Sequence, residues 1–161
     1  MNADTTQMIV ALKSADGAVR AFDMIIERYS ERLYWHCRRI VVQHEEAEDV
    51  LQDTFVTAFS SASKFRGENE GSLLAWLYKI ATTLAIKNLR RRKRHIFTSI
   101  DSLSAMLIAD FEGEIAPEAD EITVKLQKAI LALPIKQRLV FNMRYYDELP
   151  FEAISQITGD S

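Results

Sequence analysis

A run of cations is the clearest candidate for chemistry in this sequence. Six of the eight residues from Lys87 to Arg94 are Lys or Arg. This run ends a predicted helix that starts near residue 72. One side of that helix carries an aromatic ring, a hydroxyl group and four cations at helical spacing, and we call it the cationic stripe: Trp76, Lys79, Thr83, Lys87, Arg90 and Arg94. Cations suit phosphate contacts, and an aromatic ring can stack on a base. A helix C-terminus favours cations too, but six exceed what it needs. The pattern therefore predicts nucleic-acid binding, with Asn88 and Arg91 included among the contacts.

A second group of residues is acidic. At spacing i, i+3, i+4, i+7 and i+8 come the members of what we call the acidic face: Glu45, Glu48, Asp49, Gln52 and Asp53. These side chains share one side of a helix. An ordinary solvated face would look the same, because a helix N-terminus stabilises acids. A docking surface for a basic partner is the functional interpretation, and the pattern alone leaves both open.

The segment from Phe65 to Gly71, which we call the loop, joins the predicted helix that carries the acidic face to the one that carries the cationic stripe. Its two glycines permit unusual backbone angles, and the side chains of Arg66 and Asn69 can hydrogen-bond the edge of an unstacked base. Taken by itself, this segment is better explained as a plain polar turn. Its position between the acidic face and the cationic stripe favours a second interpretation, in which the loop contacts an unstacked base.

Enzymatic chemistry is the first alternative. Clustered carboxylates such as Glu45, Glu48, Asp49 and Asp53 can bind Mg²⁺ in all-α phosphohydrolases, but such a site needs a second carboxylate cluster on a facing helix. The facing residues 72–94 contain none. The three histidines, His36, His44 and His95, lack zinc spacing with Cys37, which lies on an apolar stripe. We expect no metal, no cofactor and no catalytic residue.

Positive and negative charges are unevenly distributed along the chain. Residues 1–94 carry 15 Lys or Arg and 12 acids, whereas residues 95–121 carry seven acids and no Lys or Arg. The net charge of −3 hides this segregation, which is the better guide to partners. No apolar run approaches the length of about 18 residues that a membrane span needs. The N-terminus lacks signal-peptide order and the single cysteine fits a reducing compartment, so we expect a cytoplasmic protein.

Helical periodicity runs through most of the chain. Apolar residues recur every three or four positions from Phe22 to Ile40, and helices follow at about 45–62 and from Ser72, a plausible N-cap. The spacing predicts an all-α fold of two small helical domains, 1–95 and 121–161. Between them, residues 96–120 are predicted to form an acidic linker, largely irregular and mobile, with a short helix at about 102–108. Gly159 occupies the position of the turn residue in a helix-turn-helix.

Several motifs together resemble the extracytoplasmic-function sigma factors of the sigma-70 family. They are residues 46–55 (EAEDVLQDTF), 65–68 (FRGE), 74–81 (LAWLYKIA), 132–134 (ALP), 137–138 (QR), Phe141, 144–146 (RYY) and 149–151 (LPF). The resemblance covers about residues 18–161, and the order and spacing of the motifs make it specific.

The resemblance implies a function in transcription initiation. Residues 1–95 would be sigma region 2, whose acidic face docks on core RNA polymerase while the loop and the cationic stripe engage and melt the minus-ten element of promoter DNA. The linker would thread toward the RNA exit channel, and an anti-sigma factor is a further expected partner. Residues 121–161 would be region 4. Family members continue past Gly159 into a recognition helix, so we expect an incomplete helix-turn-helix that does not read a minus-thirty-five element.

A helix-turn-helix regulator that acts without polymerase is the second alternative. It would explain residues 134–161. It would leave unexplained both the acidic face and a cationic stripe that lies outside the helix-turn-helix.

Overall fold

The computed structural model describes residues 3–96 and 100–159, and the side chains of residues 94–102 are outside that description. Its helices are α1 (Ala3–Leu12), α2 (Ala18–Val41), α3 (His44–Ser60), α4 (Glu70–Ile96), α5 (Ile100–Glu112), α6 (Glu121–Leu131), α7 (Ile135–Tyr145) and α8 (Phe151–Thr158), with a 3-10 turn at Ala62–Lys64. The described ranges contain no strand. The predicted all-α fold of two helical domains is confirmed.

The first domain is built on α2, α3 and α4, which pack against one another, while α1 covers α2. Its centre is apolar, because Ile25, Leu33 and Cys37 of α2 are fully buried against Leu73 and Leu77 of α4. Ile26, which lies on the predicted apolar stripe, is instead 40% exposed. A helical step from Phe22 falls between positions 25 and 26, so the spacing permits either residue on the stripe, and the packing selects Ile25.

Asn69 is the N-cap of α4, in place of the predicted Ser72. The side-chain Oδ1 of Asn69 accepts a hydrogen bond from Ser72 N at 2.8 Å, and Ser72 Oγ accepts one from Asn69 N at 3.2 Å. This reciprocal pair satisfies two backbone donors at the start of the helix. α4 therefore begins at Glu70, two residues before the predicted start.

The second domain consists of three short helices with recognisable boundaries. Asp120 caps α6 through Thr123 N at 2.9 Å, and that hydrogen bond lowers the pKa of its carboxyl group. Prolines at 134 and 150 immediately precede α7 and α8. Gly159 follows α8 with a φ of 77°, the left-handed conformation in which glycine has no steric penalty.

The short helix predicted at about 102–108 is present and extends over residues 100–112 as α5, so this part of the predicted linker is more regular than expected. Leu107 of this helix is only 1% exposed, and Leu103, Met106 and Phe111 also pack against the core. These apolar residues follow helical spacing, and Phe111 extends the apolar side beyond the short helix that the sequence predicts. The acids are paired as well, because Asp110 contacts Arg92 Nη2 at 2.6 Å and Glu114 contacts Arg38.

The two domains also contact each other directly. α8 lies against α4, and α7 contacts α2 near its C-terminus. Sequence periodicity predicts the helices but carries no information about this contact. In the described part of the chain, no helix is long and apolar enough to span a membrane.

Candidate docking and nucleic-acid interfaces

The cationic stripe follows the outer side of α4. Lys79, Thr83, Lys87 and Arg90 are exposed, and Trp76 is half-buried. Thr83 Oγ1 donates to Lys79 O at 2.8 Å, so its side chain is directed along the helix. Three cations spaced over about three turns can follow the phosphates of a nucleic-acid backbone. The side chain of Arg94 lies outside the described residues.

Asn88 does not belong to this exposed surface. It is 8% exposed, and its Nδ2 donates to the carboxylate of Glu46 on α3. Arg91 Nη2 lies 3.5 Å from the same carboxylate, although the Arg91 side chain remains largely exposed. The expectation that Asn88 contacts DNA is therefore not retained, since in this fold Asn88 joins α3 to α4. The role of Glu46 was not predicted, and only the pairing of the two helices shows it.

The acidic face is exposed along its whole length, as expected from its spacing. All five members, Glu45, Glu48, Asp49, Gln52 and Asp53, are exposed, while Ala47, Val50 and Thr54 on the opposite side of α3 are buried. Glu48 pairs with His44 Nε2 at 3.3 Å across one helical turn. Among the described side chains, Asp49 and Asp53 form no ion pair, so both carboxylates are available to a partner.

A groove of about 310 Å³ separates the acidic face from the cationic stripe. Asp49 and Asp53 line one wall, and Lys87 and Arg91 line the other. Two surfaces of opposite charge thus lie on adjacent helices of one rigid packing unit. A basic partner on α3 and a polyanion on α4 can bind this unit side by side.

The loop before α4 is held by aromatic and backbone contacts. The buried Phe65 ring packs on the indole of Trp76 with centroids 4.8 Å apart. Arg66 is exposed, and its Nη1 donates to Ser63 O at 2.6 Å and to Phe65 O at 3.2 Å. Asn69 is exposed but uses Oδ1 as the cap of α4. The fold thus brings Arg66, Asn69 and Trp76 to the same end of the cationic stripe.

Within the described ranges, no three His, Cys, Asp or Glu side chains converge closely enough to hold a metal ion. Cys37 is fully buried, and burial, aided by Asp147, raises the pKa of its thiol to about 12. A buried neutral thiol is a poor nucleophile, which supports its interpretation as a core residue.

Comparisons with known proteins agree with this arrangement. The model of Sigma-70 region 2 matches residues 25–95, and the model of Sigma-70, region 4 matches residues 123–160. The chain is 31% identical over 145 residues to the ECF RNA polymerase sigma factor SigW of Bacillus subtilis, covering 85% of this chain and 76% of the relative. It is 30% identical over 151 residues to the RNA polymerase sigma-H factor of Pseudomonas aeruginosa, covering 88% and 76%.

A further relative is the ECF RNA polymerase sigma-E factor of Salmonella typhimurium, which is 26% identical over 168 residues and covers 98% of this chain and 85% of the relative. The matched regions span both domains, and region 2 contains the acidic face, the loop and the cationic stripe. The chain therefore belongs to the sigma-70 family, within its extracytoplasmic-function group, and is an RNA polymerase sigma factor that acts in promoter recognition.

Proposed function

We propose that the acidic face of α3 docks on a basic surface of core RNA polymerase while the loop and α4 engage the minus-ten element. Polymerase and promoter DNA are the partners of a sigma factor, and the proposal assigns each of them to particular residues. The main support for this proposal is the pair of exposed, oppositely charged surfaces on the adjacent helices α3 and α4.

The fold gives these two surfaces a fixed relationship. Glu46 of α3 accepts from Asn88 and lies 3.5 Å from Arg91, both on α4. A polymerase bound to α3 would therefore orient α4 toward DNA without an intervening flexible segment. Positioning by rigid elements reduces the entropy lost when the second partner binds.

Within the loop, Arg66 and the free amide nitrogen of Asn69 would contact a base turned out of the opened strand. Extruding a base costs a few kcal/mol, which contacts in the protein must offset. The half-buried indole of Trp76, already packed on Phe65, provides an aromatic surface beside this loop. Phosphate contacts by Lys79, Lys87 and Arg90 would position the strand, and the loop would read it.

The proposal includes the remaining expectations for this chain. It would act in the cytoplasm, without catalytic residues, metal or cofactor, and an anti-sigma factor would control its access to polymerase. A helix-turn-helix regulator independent of polymerase is not favoured, because the match to region 2 lies outside the helix-turn-helix.

Charge reversal on α3 tests the docking assignment. Because both carboxylates are exposed, Asp49→Lys with Asp53→Lys should weaken binding to core polymerase at least ten-fold. The free energy of unfolding should change by no more than about 0.5 kcal/mol. Binding is measured by titration of fluorescently labelled protein with core polymerase, and stability by urea denaturation.

A matched control carries the same change in net charge elsewhere in the domain. Asp23→Lys with Glu27→Lys alters two exposed acids on α2. If this control weakens polymerase binding as much as the α3 variant, net charge rather than the acidic face governs docking. Unchanged affinity of the α3 variant would show that the docking assignment is wrong.

A further inference from the structure

The turn between α1 and α2 brings a lysine to the loop. Lys13 directly follows α1 and is exposed, and its Nζ lies 5.8 Å from the centroid of the Phe65 ring. Phe65 is only 2% exposed, and its ring packs on the indole of Trp76 with centroids 4.8 Å apart. A cation that follows α1 therefore borders the aromatic pair that the loop forms with α4.

The backbone of this turn is held by local hydrogen bonds. Ser14 N donates to Ala11 O at 3.1 Å at the end of α1. Ser14 Oγ donates to the same carbonyl oxygen at 3.0 Å and accepts from Gly17 N at 3.0 Å. The position of Lys13 along the chain is thus fixed by the turn, whereas its long side chain extends at the surface.

α1 is itself anchored on the first domain. Leu12, the residue before Lys13, is 2% exposed and belongs to the core. Arg28 of α2 donates to Thr5 Oγ1 of α1 at 2.9 Å, and α1 also contacts α4. These contacts fix the end of α1 relative to the loop, so the place of Lys13 beside Phe65 follows from the packing of the domain.

The ammonium group of Lys13 has the capacity to bind a further partner. Among the side chains that the structure describes, it forms no ion pair, and its contact with the Phe65 ring is of the weak kind that exposed cations make. A lysine carries three rotatable donors on a flexible stem. The stem can therefore remain on the ring while the ammonium group binds an anion.

A base that is turned out of its strand leaves its phosphates at the edge of the site that receives it. The base rotates about the backbone, and the phosphates on either side carry charge that cations of the protein can neutralise. On α4, the first cation available for this is Lys79, three residues after Trp76. Lys13 provides a second cation beside the same aromatic pair, from a different element of the domain.

We propose that Lys13 is a further nucleic-acid contact of this sigma factor and neutralises a phosphate next to the base that the loop receives. The segment that follows α1 then takes part in positioning the strand, in addition to the packing of α1 on α2. This role of Lys13 rests on the function proposed for the loop, because it places the phosphate by reference to the base.

Neutral phosphates locate the contact. The probe is a single-stranded minus-ten oligonucleotide that carries one methylphosphonate, at a different position in each preparation, and it is bound to reconstituted holoenzyme. The unaltered protein should lose roughly three-fold in affinity at each phosphate that it contacts. Lys13→Met retains the length and the apolar stem of the side chain without its charge. This variant should lose nothing at one phosphate, the one next to the base whose preference Arg66→Ala alters.

Salt dependence and a rescue variant give a second readout. Lys13→Met should reduce the slope of log K against log salt by about 0.7, the value for one phosphate contact on a single strand, and Lys13→Arg should restore it. The matched control is Lys125→Met, which removes an exposed lysine of the second domain and should leave the slope unchanged. Affinity for core polymerase and the midpoint of urea denaturation should be the same for all these variants, because both lysines are exposed.

Failure of this proposal is distinct from failure of the function proposed for the loop. If Arg66→Ala alters the preference at one base but Lys13→Met responds to every methylphosphonate as the unaltered protein does, the loop reads a base and Lys13 contacts no phosphate. A phosphate far from that base would also overturn the proposed role of Lys13. If Arg66→Ala alters no preference, the function proposed for the loop fails, and the role of Lys13 fails with it.

Discussion

Asn88 follows Lys87 in the sequence and lines the same groove between α3 and α4, but only Asn88 is turned inward toward α3. Its amide nitrogen contacts Glu46, and the residue is almost completely buried, whereas Lys87 is exposed. A step of one residue rotates a side chain by about 100° around a helix, so neighbours in a cationic run need not share a role. Asn88 therefore contributes to the packing of α3 on α4, whereas the Lys87 side chain is exposed and available to a partner.

Substitution of Asn88 should act on stability. Asn88→Ala leaves the Glu46 carboxylate without its amide partner, and we expect a loss of about 1–3 kcal/mol in the free energy of unfolding. Lys87→Ala, the exposed neighbour, should change it by about 0.5 kcal/mol or less. Urea denaturation followed by circular dichroism measures both. Equal stabilities for the two variants would contradict the assignment of Asn88 to the contact between α3 and α4.

Gly67 shows a steric requirement in the loop. A Cβ atom at this position would lie within 2.7 Å of the Phe65 ring, closer than real contacts allow, and would also meet Ser72 Oγ. At Gly71 the nearest atom would be Asn69 Oδ1 at 3.3 Å, which is tight but at the end of a polar side chain. Close approach, rather than a positive φ, is therefore the reason for glycine at position 67.

Gly67→Ala should displace Phe65 from Trp76 and destabilise the protein by about 1–3 kcal/mol, as overpacking does. Tryptophan fluorescence and near-ultraviolet circular dichroism report the lost ring contact, and permanganate footprinting reports promoter opening in reconstituted holoenzyme. Gly71→Ala is the matched control, and its effect should be smaller because a first-turn alanine favours the helix. A larger effect at Gly71 would contradict this account of the loop.

At the scale of elements, the proposed function assigns two tasks to one helix, α4. Its N-terminus carries the loop and Trp76, and its exposed cations follow over the next three turns. Contacts to phosphates give affinity that depends on salt, whereas contacts to a base give preference for a sequence. The two parts of α4 should therefore be separable by experiment.

Removal of the exposed cations should flatten the salt dependence of promoter binding. For Lys79→Ala, Lys87→Ala and Arg90→Ala in reconstituted holoenzyme, the slope of log K against log salt should fall by about 0.9 per lost phosphate contact. Promoter binding is titrated from low to high salt. Arg20→Ala with Lys125→Ala removes exposed cations outside α4 and should leave the slope unchanged.

Substitutions in the loop should behave differently from those in the stripe. Asn69→Ser retains an oxygen that can cap α4 but removes the amide, and Arg66→Ala removes a guanidinium whose loss exposes no buried group. Both should impair opening or alter preference at one minus-ten base, with little change in salt slope. Identical phenotypes for loop and stripe variants would show that the two parts of α4 do not divide positioning from reading.

α5 is longer than the short helix predicted at about 102–108, and its packing on the core was not predicted. Its acids suggest a solvated, irregular chain, but Leu103, Met106 and Leu107 form an apolar side that packs on the core. Arg92 of α4 donates to Asp110 at 2.6 Å and to Val41 O at 3.1 Å, so one cation of the run from Lys87 to Arg94 is committed to contacts within the protein. A linker route toward the RNA exit channel would require these contacts to break.

For the whole molecule, the arrangement of the domains decides which surfaces are accessible. The acidic face on α3 lies away from the second domain, whereas Thr83 and Arg90 of α4 border it.

The sequence by itself determined the helical fold, its division into two domains, the opposite charges of the acidic face and the cationic stripe, and the family resemblance. These properties depend on spacing within single segments, and helical periodicity makes them readable. The exposure of Asp49, Asp53 and Lys79 followed from the same periodicity.

Only the tertiary structure decided the partners of individual side chains. It turned Asn88 toward Glu46, assigned the cap of α4 to Asn69, packed α5 on the core and placed Asp147 on His36. His36 and Asp147 are 111 residues apart in the chain. A local pattern carries no information about such a pairing, because the free energy that selects it comes from burying groups of distant segments together.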